Sequence, residues 1–566
     1  MKKSKDLLKM CPNYIGNSIF CQNYVNIIFV EIIREIELVP WGSIMNKKFS
    51  THLYWIIPGF ILVFGLLLLF YQNFSKVTEP PAPDWSRALM VGVTDLNKLS
   101  PVKVTKEGDF VFTRFEGGKL ATTTLGKNFK VIDQKTYDIP VDKWTQVYQH
   151  EETVIYFDFK NIYDQDKNKI VSDVEKFYPL ETTILYVKEN VLYQLTPESK
   201  QSEKIIDIDL KKLDIIPQEN AEGVYLLVYS SDPNGVDLTL QQLTNGKINS
   251  VYQTRLKVDP GKVVNDISFA LENQTLALLL QEELESTQGN PEFFNYFMQT
   301  NITGKDTQSL YELTFQDPAG TNSLTEVSDV ILRFKNGEPT ILFHANGRTE
   351  TQFNDKTTFN IYTAVINEDG STKTERRSNT PEISTNPQWL DEETIAWIDL
   401  DGDGHKIKIS SSNKDTISDL IEFTQDDWLH TLGKTLGMVT SSFFAIAFSV
   451  IWFIWPILFI VFMYMFRNRI ADRDPAWYFY TGIGLYAVAA IIWKDQFFVD
   501  NIYTNAPTYL TFTGSSYFYL ILFAIIAYWL TNHTKRANDW SGTIRITYFV
   551  GIHILLLTIF FGPYVI

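Results

Sequence analysis

Leu53 to Phe74 reads LYWIIPGFILVFGLLLLFYQNF, 22 residues without one charged side chain. At about 1.5 Å per helical residue such a run covers a hydrocarbon core of about 30 Å, so its first expected environment is lipid. A cleaved leader is the competing reading. The run is longer than an ordinary leader core, however, and Tyr71-Gln72-Asn73-Phe74 offers no small-residue cleavage site.

Four more apolar runs close the chain, at about 436–466, 476–493, 507–530 and 546–566. The first is longer than a bilayer is thick, which predicts a tilt, a kink near Pro456 or a start above the membrane. Five spans are therefore expected: one at residues 45–75 with its short head, and four within 431–566. Lys47, Lys48, Arg467, Arg469, Arg473, Lys535, Arg536 and Arg545 all fall on one side of such a bundle, and Asp495 to Ala506 on the other has no Lys or Arg. Positive loops stay in the cytoplasm, so the N-terminus is expected inside and residues 76–430 outside the cell membrane.

The charge is as unevenly distributed as the hydropathy. Between Lys76 and His430 there are 35 basic and 57 acidic residues, and the rest of the chain is net positive. An acidic surface repels polyanions, which argues against nucleic acid as a partner. Both cysteines, Cys11 and Cys21, precede residue 45, so the large middle region has no disulfide. That points to a bacterial cell envelope. Residues 1–44 read as a non-native or disordered extension, with Met45-Asn46-Lys47-Lys48 as the natural start.

After the stiff spacer Thr78-Glu79-Pro80-Pro81-Ala82-Pro83, with 76–107 as linker and entry, strand-like runs alternate with turn clusters across 108–430. Units begin near Gly108, Trp144, Thr182, Leu213, Val263, Glu326 and Pro381, a spacing of roughly 45 residues that suits four-stranded propeller blades. The expected fold is an all-β, seven-bladed propeller joined to an α-helical transmembrane bundle, with a sandwich or solenoid as the alternative. The segment Pro387-Gln388-Trp389-Leu390-Asp391-Glu392-Glu393-Thr394-Ile395-Ala396-Trp397 resembles the repeats of TolB-type propellers, a family related in architecture to WD40 propellers. It departs from them at Glu393, where the turn glycine often falls.

Candidate chemistry is sparse. Asp399-Leu400-Asp401-Gly402-Asp403-Gly404-His405 alternates carboxylates with a glycine at the sixth position, a pattern that wraps Ca2+. Asp399, Asp401, Asp403 and His405 are the candidate ligands of a hairpin calcium loop, and an ordinary acidic turn is the competing reading. The seven histidines show no H-E-x-x-H spacing, no G-x-S-x-G elbow is present, and no catalytic residue is nominated. His553 falls inside the last apolar run, where an ionisable group is costly. A neutral ring bonded to a neighbouring helix is expected there, with Thr440, Ser441, Ser442, Thr481, Ser515 and Ser516 as potential partners. Ile417, Leu420, Ile421, Trp428 and Leu432 suggest a helix leading into the second span. A binding or sensing module with a protein partner is the expected function, followed by an accessory transport or export subunit and a glycan-active enzyme.

Overall fold

The structure is a computed structural model. It describes residues 53–566 apart from 97, 151–152, 221, 245, 285–291, 305–309, 354–356, 403, 414–422 and 534–539. The extension 1–44, the start at Met45, and Ile417, Leu420 and Ile421 lie outside the described residues. The chain forms two compact units, one of residues 69–437 and one of residues up to 68 together with 438–566.

The first unit contains seven four-stranded antiparallel sheets. Six are continuous in sequence: blade 1 at 103–140, blade 2 at 146–171, blade 3 at 176–207, blade 4 at 214–257, blade 5 at 262–313 and blade 6 at 325–376. Blade 7 takes three strands from 383–411 and its outer strand, Leu89–Thr94, from the start of the unit. The two ends of the ring are thereby hydrogen-bonded into one sheet, leaving no open seam between first and last blade. Innermost strands begin at Lys103, Gln146, Lys176, Asp214, Lys262, Thr325 and Ile383, within a few residues of the unit starts read from the sequence.

Apolar side chains are divided among the blade interfaces. Each of the seven has its own cluster, such as Leu279, Phe297, Leu332 and Phe343 between blades 5 and 6. The strands second from the centre are covered on both faces, which is why they read as unbroken apolar runs. Thr394–Leu400 is buried at every position but the last, whereas the outer strand Val131–Pro140 is almost wholly exposed. Between blades 6 and 7, Trp85, just after the spacer, completes the cluster of Leu342, Ile361, Ile395 and Trp397. Its Nε1 donates to Ser410 Oγ at 2.7 Å.

The helices are α1 (Leu53–Val77), α2 (Gln425–Phe448), α3 (Val450–Phe466), α4 (Asn468–Arg473), α5 (Ala476–Ile492), α6 (Asp500–Asn505), α7 (Ser515–His533) and α8 (Gly542–Phe561). Among the described residues four helices are long and apolar enough to cross a membrane: Tyr54–Val77, Gln425–Phe448, Ser515–Asn532 and Gly542–Tyr564. α3 and α5 are shorter and apolar. In the long run 436–466 the helix continues through Pro456, the position named in one of the three alternatives expected for it. Its helix starts upstream, at Gln425, and is interrupted at Ser449, whose hydroxyl donates to Ile446 O at 2.7 Å. Such back-bonding competes with the helical ladder and bends it, while Pro456 lies inside α3. The α2 start is a capping box: Asp427 N donates to Thr424 Oγ1 at 3.2 Å, and Thr424 N to Asp427 Oδ2 at 2.7 Å.

Candidate functional site

The inner strands of blades 5, 6 and 7 all break register near their starts. One residue is extra between Val264 and Asp266, one between Thr385 and Gln388, and blade 6 has two such irregularities, on either side of Ser328. Bulges re-aim side chains and are common beside functional sites. Glu326, Asp329 and Asn386 have φ values of 53°, 50° and 51°, a region that costs a non-glycine residue conformational energy. Two of these strained residues lie at the blade 6 irregularities and one at that of blade 7.

The side chains there form one polar chain. Ser328 Oγ lies 2.7 Å from His344 Nε2, and His344 Nδ1 lies 3.0 Å from Asp329 Oδ2. The same carboxylate oxygen accepts from Asn386 N at 3.1 Å and Thr385 Oγ1 at 3.2 Å, tying blade 6 to blade 7. Burial pushes the Asp329 carboxyl upward, but its hydrogen bond and charge contact with His344 win and hold it below the usual range. Asp266 on blade 5 moves the other way, raised by desolvation and further by the Asp329 charge, against the opposing hydrogen bond from the Ile267 amide. His344 retains 13% of its side-chain exposure and Asp329 41%, so the cluster is reachable from water.

A second polar cluster joins blade 7 to the α2 start around a cavity of about 480 Å³ lined by Arg87, Thr380, Glu382, Lys408, Asp426 and His430. Arg87 meets Asp427 at 2.5 Å, Lys406 meets Asp401 at 3.0 Å and Asp426 at 3.4 Å, and His430 Nε2 meets Glu382 Oε1 at 3.1 Å. The Glu382 hydrogen bond raises His430 above the ordinary imidazole value against the opposing effect of burial. With cations and carboxylates alternating, this cluster acts as a clasp.

The calcium candidates are placed differently from one another. Their flanks are the expected hairpin, Thr394–Leu400 and His405–Ser411. Asp399 is fully buried, and its Oδ1 accepts from Trp397 Nε1 at 2.7 Å, Ser384 Oγ at 2.8 Å and Thr380 Oγ1 at 3.2 Å. Asp401 pairs with Lys406, the His405 Nδ1 atom is buried without a hydrogen-bond partner, and Asp403 lies outside the described residues. Among the described residues no three His, Cys, Asp or Glu side chains gather as a metal site.

His553 is buried in α8. Its Nε2 lies 2.9 Å from Leu520 O, which only accepts, so Nε2 carries the proton; Nδ1 then accepts from the Tyr486 hydroxyl at 2.7 Å. The ring is thus bonded to α5 and α7. Neither partner is among the serines and threonines expected from the sequence, because a tyrosine in an apolar run reads as an interfacial anchor. Ser328, Asp329 and His344 escaped the sequence reading too. Only strand pairing puts Ser328 opposite His344, and no motif marks them.

A scan against protein-family models finds no match, and a search of curated proteins finds none either. Solved structures do show similarity in fold. Oligopeptidase B from Trypanosoma brucei is 12% identical with a TM-score of 0.33, covering 65% of this chain and 54% of its own, so this chain spans about half the oligopeptidase's length. The polysaccharide lyase Uly1 is 8% identical with a TM-score of 0.36, over 57% of this chain and 91% of the lyase. TolB from Acinetobacter baumannii is 12% identical with a TM-score of 0.27, over 55% and 78%. At these levels the likeness is one of fold alone, and the seven-bladed ring is established by its own sheets.

Proposed function

We propose that this chain is a membrane-anchored propeller of the bacterial cell envelope, displayed outside the cytoplasmic membrane as a binding or sensing module for a protein partner. The observation that carries the reading is the way the ring is tethered. The closing strand Leu89–Thr94 follows α1, and the last strand, His405–Ser411, precedes α2, so both ends of one sheet lead to apolar helices. Counting α2 and α3 as one crossing interrupted at Ser449, with α1, α5, α7 and α8, gives five spans and puts every basic loop on the cytoplasmic side. The short loops between spans leave no room for an output domain, so a signal received by the ring passes to another protein. Gentle solubilisation and affinity purification of the full chain test this. A membrane or envelope protein recovered in fixed proportion is expected; a chain that elutes alone in mild detergent contradicts it.

The buried Tyr486, His553 and Leu520 chain favours a second reading, an accessory subunit of a transport or export complex. On that reading His553→Leu abolishes substrate export by the purified complex while the chain remains folded. Export at the wild-type rate removes the reading.

A further inference from the structure

We propose that Ser328 is the nucleophile of an acyl-transfer site, with His344 as its general base and Asp329 as the positioning residue. This goes beyond the binding role and does not depend on it. The hydrogen-bond order hydroxyl, imidazole, carboxylate is the one that activates serine, and the separations of 2.7 Å and 3.0 Å are working distances. With Nδ1–H donated to Asp329, Nε2 is left to accept from the Ser328 hydroxyl, which is the tautomer a base requires. The two register breaks on either side of Ser328, and the positive φ of Glu326 and Asp329, show that the backbone is distorted where this serine is presented. Paired register runs from Ser328↔His344 to Ile331↔Leu342, leaving Asp329 and Val330 outside it. Their backbone amides, next to the nucleophile, are the donors we assign to a developing oxyanion.

The fitting substrate class is a neutral carboxylic ester, because the Asp329 and Asp266 carboxylates repel an anionic one. Ser328 Oγ attacks the carbonyl carbon as its proton moves to His344 Nε2. The bond to the leaving alkoxide breaks, and the imidazolium returns that proton to it. Water then attacks the acyl-serine, delivering a proton through His344 back to Ser328 Oγ and releasing the acid. Asn386 N and Thr385 Oγ1 keep the Asp329 carboxylate in place from the neighbouring blade.

The test uses the full-length chain in detergent and a fluorescent fluorophosphonate, which needs no knowledge of the natural ester. Covalent label is expected on the Ser328 peptide, absent in Ser328→Ala and strongly slowed in His344→Gln. In Asp329→Asn the labelling rate falls and its pH profile shifts, an effect that strand clamping alone does not produce. No label on the wild-type chain, or label that persists in Ser328→Ala, overturns the proposal. Because Ser328→Ala removes a hydrogen bond, Ser328→Cys provides a second route. Its alkylation by iodoacetamide, followed on the peptide containing position 328, is expected to slow when His344→Gln is added. Alkylation indifferent to His344 also overturns the proposal.

Discussion

Asp399 illustrates how one residue can be chosen for its surroundings and still carry a cost. Three donors converge on its Oδ1, but Oδ2 is buried without a partner, and burial pushes the carboxyl up to about 6. A folded value above the ordinary 3.8 means that the folded state binds the proton more tightly, so stability falls as pH rises from about 4 to about 6; the penalty at neutral pH is about 3 kcal/mol. His430 acts in the same direction at higher pH. Its contact with Glu382 is fully present below the ordinary imidazole value and is lost as pH rises through the raised one. Thermal unfolding across pH 4 to 8 is therefore expected to show declining stability in two steps, with Asp399→Asn removing the lower and His430→Gln the upper. The sequence showed Asp399 as a candidate ligand of a calcium loop or as one carboxylate of an acidic turn. That its side chain is buried within the blade, bonded to Trp397 on the same face of the strand, depends on strand parity, which the spacing of acidic residues does not encode.

At the level of elements, blades were legible and helix boundaries less so. Strand runs such as Thr275–Leu284 and Thr394–Leu400 announce themselves because both faces are covered, and their turns supply the punctuation. The interruption at Ser449 had no such signal, since it depends on a hydroxyl bonding to the preceding turn. The cluster around Ser328 was hidden for a related reason: two irregularities in one strand decide which residues face His344, and hydropathy does not register them. The glycine pair in α5 gives a prediction at this scale. A Cβ on Gly482 would lie 2.4 Å from Ile546 Cδ1 on α8, whereas nothing lies within 4 Å of one on Gly484. Gly482 is the close approach that small residues permit between apolar helices. Gly482→Leu is expected to destabilise the helical unit by about 1–3 kcal/mol through overpacking, and Gly484→Leu to leave it unchanged. Unfolding of the two variants in detergent by denaturant titration checks this, and equal effects would remove the assigned role of Gly482.

For the whole molecule, the physical claim is that one chain divides itself between two solvents. On the proposed reading the apolar helices lie in lipid, while a ring of seven blades, each packed on its neighbours, carries the acidic surface into water. The ring is closed by residues from Trp85 to Thr94, the segment that follows the first apolar helix in the chain. The most direct measurement is labelling of single-cysteine variants in intact cells with a maleimide that does not cross membranes. Lys143→Cys, at an exposed position of the ring, is expected to react before lysis, and Arg469→Cys, in a basic loop, only afterwards. The opposite order, or protection of both until lysis, contradicts the account.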